Sequence, residues 1–107
     1  LKGDFIKEDI RKFAKKDNWG LLSDYHFGGY AKVTAQFIEF INDFRSNTQI
    51  SLDPIYTGKM IFGILDLVKK DYFPAKTKIL AIHTGGLQGI VGMNTKLKIK
   101  NLPLVHV

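Results

Sequence analysis

The chain has 107 residues, 45% hydrophobic and 24% charged, a composition typical of a globular domain rather than a disordered or fibrous protein. It has no cysteine, which excludes a disulfide framework, thiolate catalysis and a zinc finger, and its three histidines lack metal-ligand spacing, so no metal site is predicted. Without an apolar run near 18 residues or a signal-peptide pattern, we expect no membrane span, no secretion and a cytoplasmic location.

The net charge of +6 is concentrated at one end of the chain. Residues 1–71 hold 11 basic and 10 acidic residues, whereas residues 72–107 hold five lysines and no acidic residue. A basic end can attract nucleic acid. However, residues 96–100 alternate between lysine and apolar residues, which predicts a half-buried strand with one solvated face. We therefore expect no nucleic-acid partner, and a non-enzymatic basic binding module remains a distant alternative.

Two helices are predicted in the first half of the chain. The first is capped by Asp4 and ends at Asp17-Asn18 and Gly20. The second runs over residues 32–44. Between them, residues 21–30 show no period and contain a glycine pair. The apolar residues at helical spacing are Ile6, Ile10, Phe13 and Ala14 in the first helix, and Val33, Phe37, Phe40, Ile41 and Phe44 in the second.

The second half predicts a helix followed by a strand. Asp53-Pro54 stops any preceding helix, and a third helix extends over Thr57–Lys70. Its apolar residues cover most of its circumference, which predicts burial between other elements. Residues 78–82 are a largely apolar run, typical of a strand covered on both faces, and residues 87–92 are expected to turn helical. This order indicates an α/β fold, but a parallel sheet needs several strands, so the chain resembles a piece of a larger fold.

The end of this predicted strand is a candidate ligand site. In open α/β sheets ligands bind beyond the carboxyl ends of the strands, and Gly85 and Gly86 would let an anion or a flat ring approach the backbone. The dinucleotide fingerprint G-x-G-x-x-G fails, because Thr84 replaces its first glycine and no acidic residue follows Asp71. No ATP-binding P-loop is present. His83, at the end of an apolar strand, is predicted to be structural.

Two further clusters carry aromatic groups. Residues 52–59 (LDPIYTGK) deliver a tyrosine to the entry of the third helix, where its phenol could stack on a planar ligand or pass a proton. Residues 24–30 (DYHFGGY) could form the wall of a pocket. For both clusters, simple packing is an equally open alternative.

Taken together, these segments resemble a known family. Residues 24–32 (DYHFGGYAK), 52–60 (LDPIYTGKM) and 79–89 (ILAIHTGGLQG) are similar to the D-cysteine desulfhydrase and 1-aminocyclopropane-1-carboxylate deaminase family. The resemblance covers most of residues 19–93. It implies a pyridoxal 5'-phosphate (PLP) enzyme of fold type II, as in the tryptophan synthase β chain, with a three-layer α/β fold in which helices flank a parallel sheet. Residues 1–107 would be one C-terminal fragment, about a third of a homodimeric enzyme.

The resemblance also implies roles for individual residues. Tyr56 would lie against cofactor and substrate, Tyr30 would be a second active-site tyrosine, and Thr84 would hydrogen-bond the pyridine nitrogen, with Thr57 and Gly85 also at the cofactor. Thr57 stands where the deaminases carry glutamate. A neutral hydroxyl leaves the ring closer to neutral, which favours elimination from a D-cysteine-like amino acid, giving a keto acid, ammonia and sulfide.

Ring-opening deamination of 1-aminocyclopropane-1-carboxylate is the alternative. The residues after HTGG, Leu87-Gln88-Gly89, differ from the alanine-proline typical of desulfhydrases, so the substrate stays open. The Schiff-base lysine and the phosphate loop of the family are not identifiable here, and Lys59 matches a residue at a helix start instead. We therefore expect the chain to need the remainder of the enzyme as its partner, and alone to be inactive, without tight PLP binding, and prone to associate through exposed apolar surface.

Overall fold

A computed structural model describes residues 6–107, in which four helices are joined by irregular segments. They are α1 (Ile6–Phe13), α2 (Ala35–Thr48), α3 (Thr57–Lys69) and α4 (Gly89–Ile99). The predicted cap at Asp4 lies outside the described residues. None of the four helices of this described part is long and apolar enough to cross a membrane.

The predicted α/β class is wrong for this chain, since residues 6–107 form no strand and no parallel sheet. The segment 78–82 has no regular structure, and it exposes 87% of Leu80 and 65% of Ile82. The reason is physical. A β-branched run describes a side-chain environment, whereas a strand exists only when its N–H and C=O groups pair with a neighbouring strand. The described chain contains no such neighbour.

The strand predicted at residues 96–100 is also wrong, because these residues continue and end α4. Five alternating residues are too few to show the longer period around them. Ile90, Met93 and Leu97 are the buried residues of α4, and their spacing of three and four places them on one helical face. Lys96 and Lys98 lie in the last turn, where cations interact favourably with the helix dipole.

The helix α2 begins and ends with side-chain and backbone caps. Thr34 is its N-cap, and the Thr34 hydroxyl accepts a hydrogen bond from the Phe37 N–H at 3.1 Å. At the other end Gln49 adopts the left-handed conformation and donates its N–H to the Arg45 carbonyl at 2.8 Å. The predicted helix 32–44 is therefore confirmed in kind but displaced, starting three residues later and ending four residues later.

The helix α3 confirms its predicted bounds to within one residue, but not its predicted burial. Leu65 and Val68 are exposed, and the buried residues of the helix are Thr57, Gly58, Gly63 and Leu67. The helix α1 confirms the first prediction only in part. It ends at Phe13, before Asp17, and none of its residues is buried.

The core joins α2 and α4 to two irregular segments. Its buried apolar residues are Phe37, Ile38, Ile41, Leu52, Ile90, Met93, Leu97 and Val105. Phe27 extends this core by stacking on Phe37, with ring centroids 4.4 Å apart, and by meeting Phe62 edge-on at 4.9 Å. The loop that contains Phe27 is thereby held against α2 and α3.

Candidate functional site

A buried carboxylate, that of Asp53, organises the turn that leads into α3. Asp53 is only 1% exposed. Its Oδ1 accepts hydrogen bonds from the N–H groups of Ile55 at 2.8 Å and Tyr56 at 2.7 Å, and its Oδ2 accepts from the Thr57 N–H at 2.9 Å. These N–H groups have no partner within the helix because they precede or begin its first turn. The carboxylate therefore caps α3 and fixes the backbone of Tyr56.

Thr57 completes this cap. It is buried, and its hydroxyl donates to Asp53 Oδ2 at 2.5 Å and accepts from the Asp53 N–H at 2.9 Å. The next residue must be glycine, because a Cβ on Gly58 would lie 2.6 Å from the Asp53 carbonyl oxygen. The hydroxyl of Thr57, predicted to lie at a cofactor, is thus committed to Asp53. A contact between Thr57 and a cofactor stays a prediction.

Two opposing effects set the acidity of Asp53. Burial raises its pKa, whereas hydrogen bonds from the Thr57 hydroxyl and from the N–H groups of Tyr56, Thr57 and Ile55 lower it. The net result is a pKa below the usual value of an aspartate. The turn therefore contains a permanent negative charge at neutral pH, placed at the positive end of α3.

Tyr30 and Tyr56 come together as a pair of phenols. The Tyr56 hydroxyl donates to the Tyr30 hydroxyl over 3.4 Å, and the two ring centroids are 6.1 Å apart. Both rings remain open to solvent, at 60% exposure for Tyr56 and 53% for Tyr30. The hydrogen bond to Tyr30 is the main cause that raises the pKa of Tyr56, with a smaller contribution from Asp53. At neutral pH Tyr56 therefore carries its proton.

The loop that carries Tyr30 has an unusual backbone. Gly28 and Gly29 have φ angles of 102° and 132°, and Phe27 and Ala31 both have φ of 57°. The two non-glycine residues each cost about 1–2 kcal/mol in this left-handed region. The Lys59 ammonium donates to two carbonyl oxygens of this loop, those of His26 and Gly29. Burial lowers the pKa of Lys59, while the charge of Asp53 acts in the opposite direction.

The HTGG turn rests directly on the Asp53 cap. Gly86 has a φ of 87°, which favours glycine, and an added Cβ would lie 3.0 Å from Asp53 Oδ2, closer than ordinary packing allows. His83 braces the turn, because its Nδ1 accepts from the Gly85 N–H at 3.0 Å and its Nε2 donates to the Ser51 carbonyl at 2.9 Å. These two hydrogen bonds are what a structural residue would make, and the structural role of His83 stays a prediction.

The structure thus brings the three quoted segments together around one carboxylate. Tyr56 and Thr57 are bonded to Asp53, Gly86 touches it, and Tyr30 meets Tyr56. Thr84 is exposed. The next residue, Gly85, has a φ of 94°, and a Cβ added to it would meet no atom within 4 Å. Catalytic or cofactor roles for these residues stay predictions.

Comparison with known proteins identifies relatives of this arrangement. The chain is 43% identical over 76 residues to a putative 1-aminocyclopropane-1-carboxylate deaminase of Pyrococcus furiosus, covering 71% of this chain and 22% of that protein. It is 34% identical over 84 residues to a 1-aminocyclopropane-1-carboxylate deaminase of Bradyrhizobium, covering 78% and 25%. It is 43% identical over 63 residues to a bifunctional mitochondrial D-cysteine desulfhydrase/1-aminocyclopropane-1-carboxylate deaminase of Arabidopsis thaliana, covering 58% and 16%.

The chain belongs to the D-cysteine desulfhydrase and 1-aminocyclopropane-1-carboxylate deaminase family. It spans a quarter or less of the length of these three relatives. No family model matches the chain, and no solved structure does. The family resemblance expected from the three segments is therefore confirmed by the relatives.

Asp53 is the residue of this arrangement that sequence reasoning missed. From the sequence, Asp53-Pro54 predicts only the stop of a preceding helix. The signal was present, because an aspartate in a turn often accepts hydrogen bonds from N–H groups two or three residues further along. What the sequence does not display is that the same carboxylate also supports Gly86, more than thirty residues later in the chain.

Proposed function

We propose that this chain supplies part of the active site of a PLP-dependent enzyme that removes ammonia from a small amino acid by elimination or deamination. The observation that carries the proposal is the Asp53 cap, which holds the turn of Tyr56 against Gly86 of the HTGG turn. The printed names of the relatives, deaminase and desulfhydrase, support the same reaction class.

The residues of the HTGG turn fit the ring end of PLP. Gly85 leaves open space where a side chain would stand, so a flat ring can approach the backbone there. The exposed Thr84 would offer its hydroxyl to the pyridine nitrogen, and the exposed Tyr56 phenol would lie beside ring and substrate. When bound, PLP supplies an electron sink for a carbanion at the α-carbon of the amino acid. We place the Schiff-base lysine and the phosphate loop in segments that this sequence does not contain.

The chain's own residues would then bind, orient and protonate. Tyr56 keeps its proton at neutral pH, so its phenol is suited to donate a hydrogen bond or a proton to the substrate. Tyr30 orients that phenol through its own hydroxyl. Thr57 acts through Asp53, since its buried hydroxyl stabilises the turn that positions Tyr56.

For the substrate we favour a D-cysteine-like amino acid. The resemblance implies that Thr57 replaces a glutamate of the deaminases, and Thr84, which we propose to face the pyridine nitrogen, is likewise neutral. Neither residue would stabilise a protonated pyridine ring as a carboxylate does. Elimination of sulfide from a β-carbon makes a smaller demand on the electron sink than opening a cyclopropane ring. The relatives named 1-aminocyclopropane-1-carboxylate deaminase favour the second candidate, ring-opening deamination.

A product assay on the complete enzyme separates these two candidates. Incubation with D-cysteine should release sulfide with a keto acid and ammonia, whereas 1-aminocyclopropane-1-carboxylate should yield little 2-oxobutanoate. The reverse preference would establish the deaminase. Release of neither product by enzyme that has bound PLP would overturn the proposal.

The same proposal makes a claim about residues 1–107 alone. Titration of this chain with PLP should reveal no tight stoichiometric site, because the anchoring lysine and phosphate loop are proposed to lie elsewhere. A single reducible adduct with one lysine of the chain would contradict that placement.

A further inference from the structure

The charged end of Lys59 lies between two carbonyl groups of the loop formed by residues 24–30, which we call the glycine loop. Its Nζ is 2.9 Å from the His26 oxygen and 3.1 Å from the Gly29 oxygen. The side chain is half-buried, and it leaves the first turn of α3 to cross to residues about thirty positions earlier in the chain. These are charge-assisted hydrogen bonds, which are stronger than bonds between neutral groups.

The loop is shaped so that its carbonyls converge on this ammonium. The Gly29 N–H donates to the His26 oxygen at 3.2 Å, and the Lys32 N–H donates to the Gly29 oxygen at 3.1 Å, so two turns follow one another. Each of these two oxygens therefore serves a turn and the ammonium at once. A further bond, from the Gly28 N–H to His26 Nδ1 at 2.9 Å, tightens the first turn. Without a cation, two carbonyl dipoles would point into the same half-buried space.

The same loop determines where Tyr30 stands. Tyr30 directly follows Gly29, and its hydroxyl lies 3.4 Å from that of Tyr56. Tyr56 in turn is the N-cap residue of α3, three positions before Lys59. Lys59 thus links the start of α3 to the loop at one point, and the two phenols link them at a second point.

We propose that Lys59 is a positioning residue, whose ammonium holds the carbonyl groups of His26 and Gly29 and thereby sets the phenol of Tyr30 against that of Tyr56. Its consequence for turnover rests on the proposed function, whereas the geometric claim does not. Lys59 touches neither substrate nor cofactor in this role. Its charge is used to shape the backbone that carries one of the two tyrosines.

The test replaces the ammonium and observes the two tyrosines in the complete protein. Lys59→Met keeps an unbranched apolar stem but removes every N–H donor. In protein with ring-labelled tyrosine, the nuclear Overhauser contact between the rings of Tyr30 and Tyr56 should disappear, and Tyr56 should ionise at lower pH than in the wild type. Lys69→Met, an exposed lysine of the same helix, is the matched control and should change neither signal. Persistence of both signals in Lys59→Met would overturn the proposal.

Two further variants keep the result interpretable. Lys59→Arg retains donors for both carbonyls and should preserve the contact between the rings. Lys59→Gln, whose amide is too short to reach both oxygens, should lose the contact, and it replaces Lys59→Met if the latter does not fold. An intact contact in a folded Gln variant would contradict the role.

The turnover of the Lys59 variants is measured separately from the contact between the rings of Tyr30 and Tyr56. If the proposed function holds, kcat of Lys59→Met should fall on the order of 100-fold with a smaller change in KM, because the misplaced phenol acts on the reacting substrate. An enzyme with another activity, or none, would still show the loss of the contact between Tyr30 and Tyr56. An unchanged kcat together with a lost contact would restrict Lys59 to a purely structural role and overturn the proposal as a statement about catalysis.

Discussion

The turn around Asp53 and the segment 78–82 differ in how well their backbone and side chains are satisfied. Around Asp53, the carboxylate, the backbone N–H groups and the Thr57 hydroxyl all find partners within a few residues. In residues 78–82, by contrast, apolar side chains face solvent and the backbone forms no strand within the described chain. Hydrogen bonds between residues that are close in sequence can form within this chain alone. A strand, in contrast, forms only when its backbone pairs with a second strand.

Removing the carboxylate of Asp53 is the change that should damage the first region most. Asp53→Ala leaves three N–H groups and the Thr57 hydroxyl without their acceptor in a buried turn. The free energy of unfolding should fall by about 3 kcal/mol or more, measured by denaturant titration. Asp43→Ala, on an exposed position of α2, should stay within about 0.5 kcal/mol. Equal effects of the two variants would show that the Asp53 cap does not stabilise the fold.

A methyl group at Gly58 should cost somewhat less. Its Cβ would approach the Asp53 carbonyl oxygen to 2.6 Å and the Ile41 side chain to 2.9 Å, so Gly58→Ala should destabilise the chain by about 1–3 kcal/mol. Gly92→Ala in α4 meets no atom within 4 Å and should instead stabilise by about 0.5–1 kcal/mol, because alanine is the better helix former. Thermal unfolding of both variants checks the opposite signs, and a stabilised Gly58→Ala would refute this packing.

Features of the fold that depend on neighbouring residues were predictable from the sequence, whereas those that depend on distant residues were not. The start of α3 was predictable because Asp53-Pro54 and the following apolar run are local signals. The end of α2 was missed because Gln49, rather than glycine, adopts the left-handed cap. The α/β class was wrong because residues 78–82 have strand composition but no strand partner in the described chain.

The candidate site was predictable to a similar, limited extent. The resemblance to the family indicated Tyr30, Tyr56 and Thr84 as separate residues of three segments. It could not indicate that Asp53 joins two of those segments, because that contact depends on the path of the chain between residues 58 and 86. Nor did any spacing reveal that Lys59 binds carbonyl groups of the glycine loop.

Lowering the pH should remove the contribution of Asp53 to the free energy of unfolding. The pKa of Asp53 is lower in the folded chain than its unfolded value of about 3.9, so the unfolded state binds the proton first as pH falls. Its stabilisation should be complete above the unfolded pKa and be lost as pH falls through the folded pKa. Denaturant titrations across this range should show a shallower decline for Asp53→Asn than for the wild type. Parallel declines would mean that Asp53 does not contribute to the acid sensitivity.

The smallest effect is expected in the second region. Leu80 is largely exposed, so Leu80→Ala should change the free energy of unfolding by less than about 0.5 kcal/mol. Thermal unfolding at matched protein concentration checks this. A loss above about 2 kcal/mol, the lower end for a buried leucine, would show that residues 78–82 are packed after all.

The central claim, that the Asp53 turn presents Tyr56 to the substrate, is tested most directly by turnover of Tyr56→Phe in the complete enzyme. Tyr72→Phe is the matched control, since Tyr72 is equally exposed but lies outside the Asp53 turn. We predict that Tyr56→Phe retains PLP, followed by its absorbance, while kcat falls on the order of 100-fold and Tyr72→Phe stays at the wild-type rate. Wild-type turnover in Tyr56→Phe would contradict it.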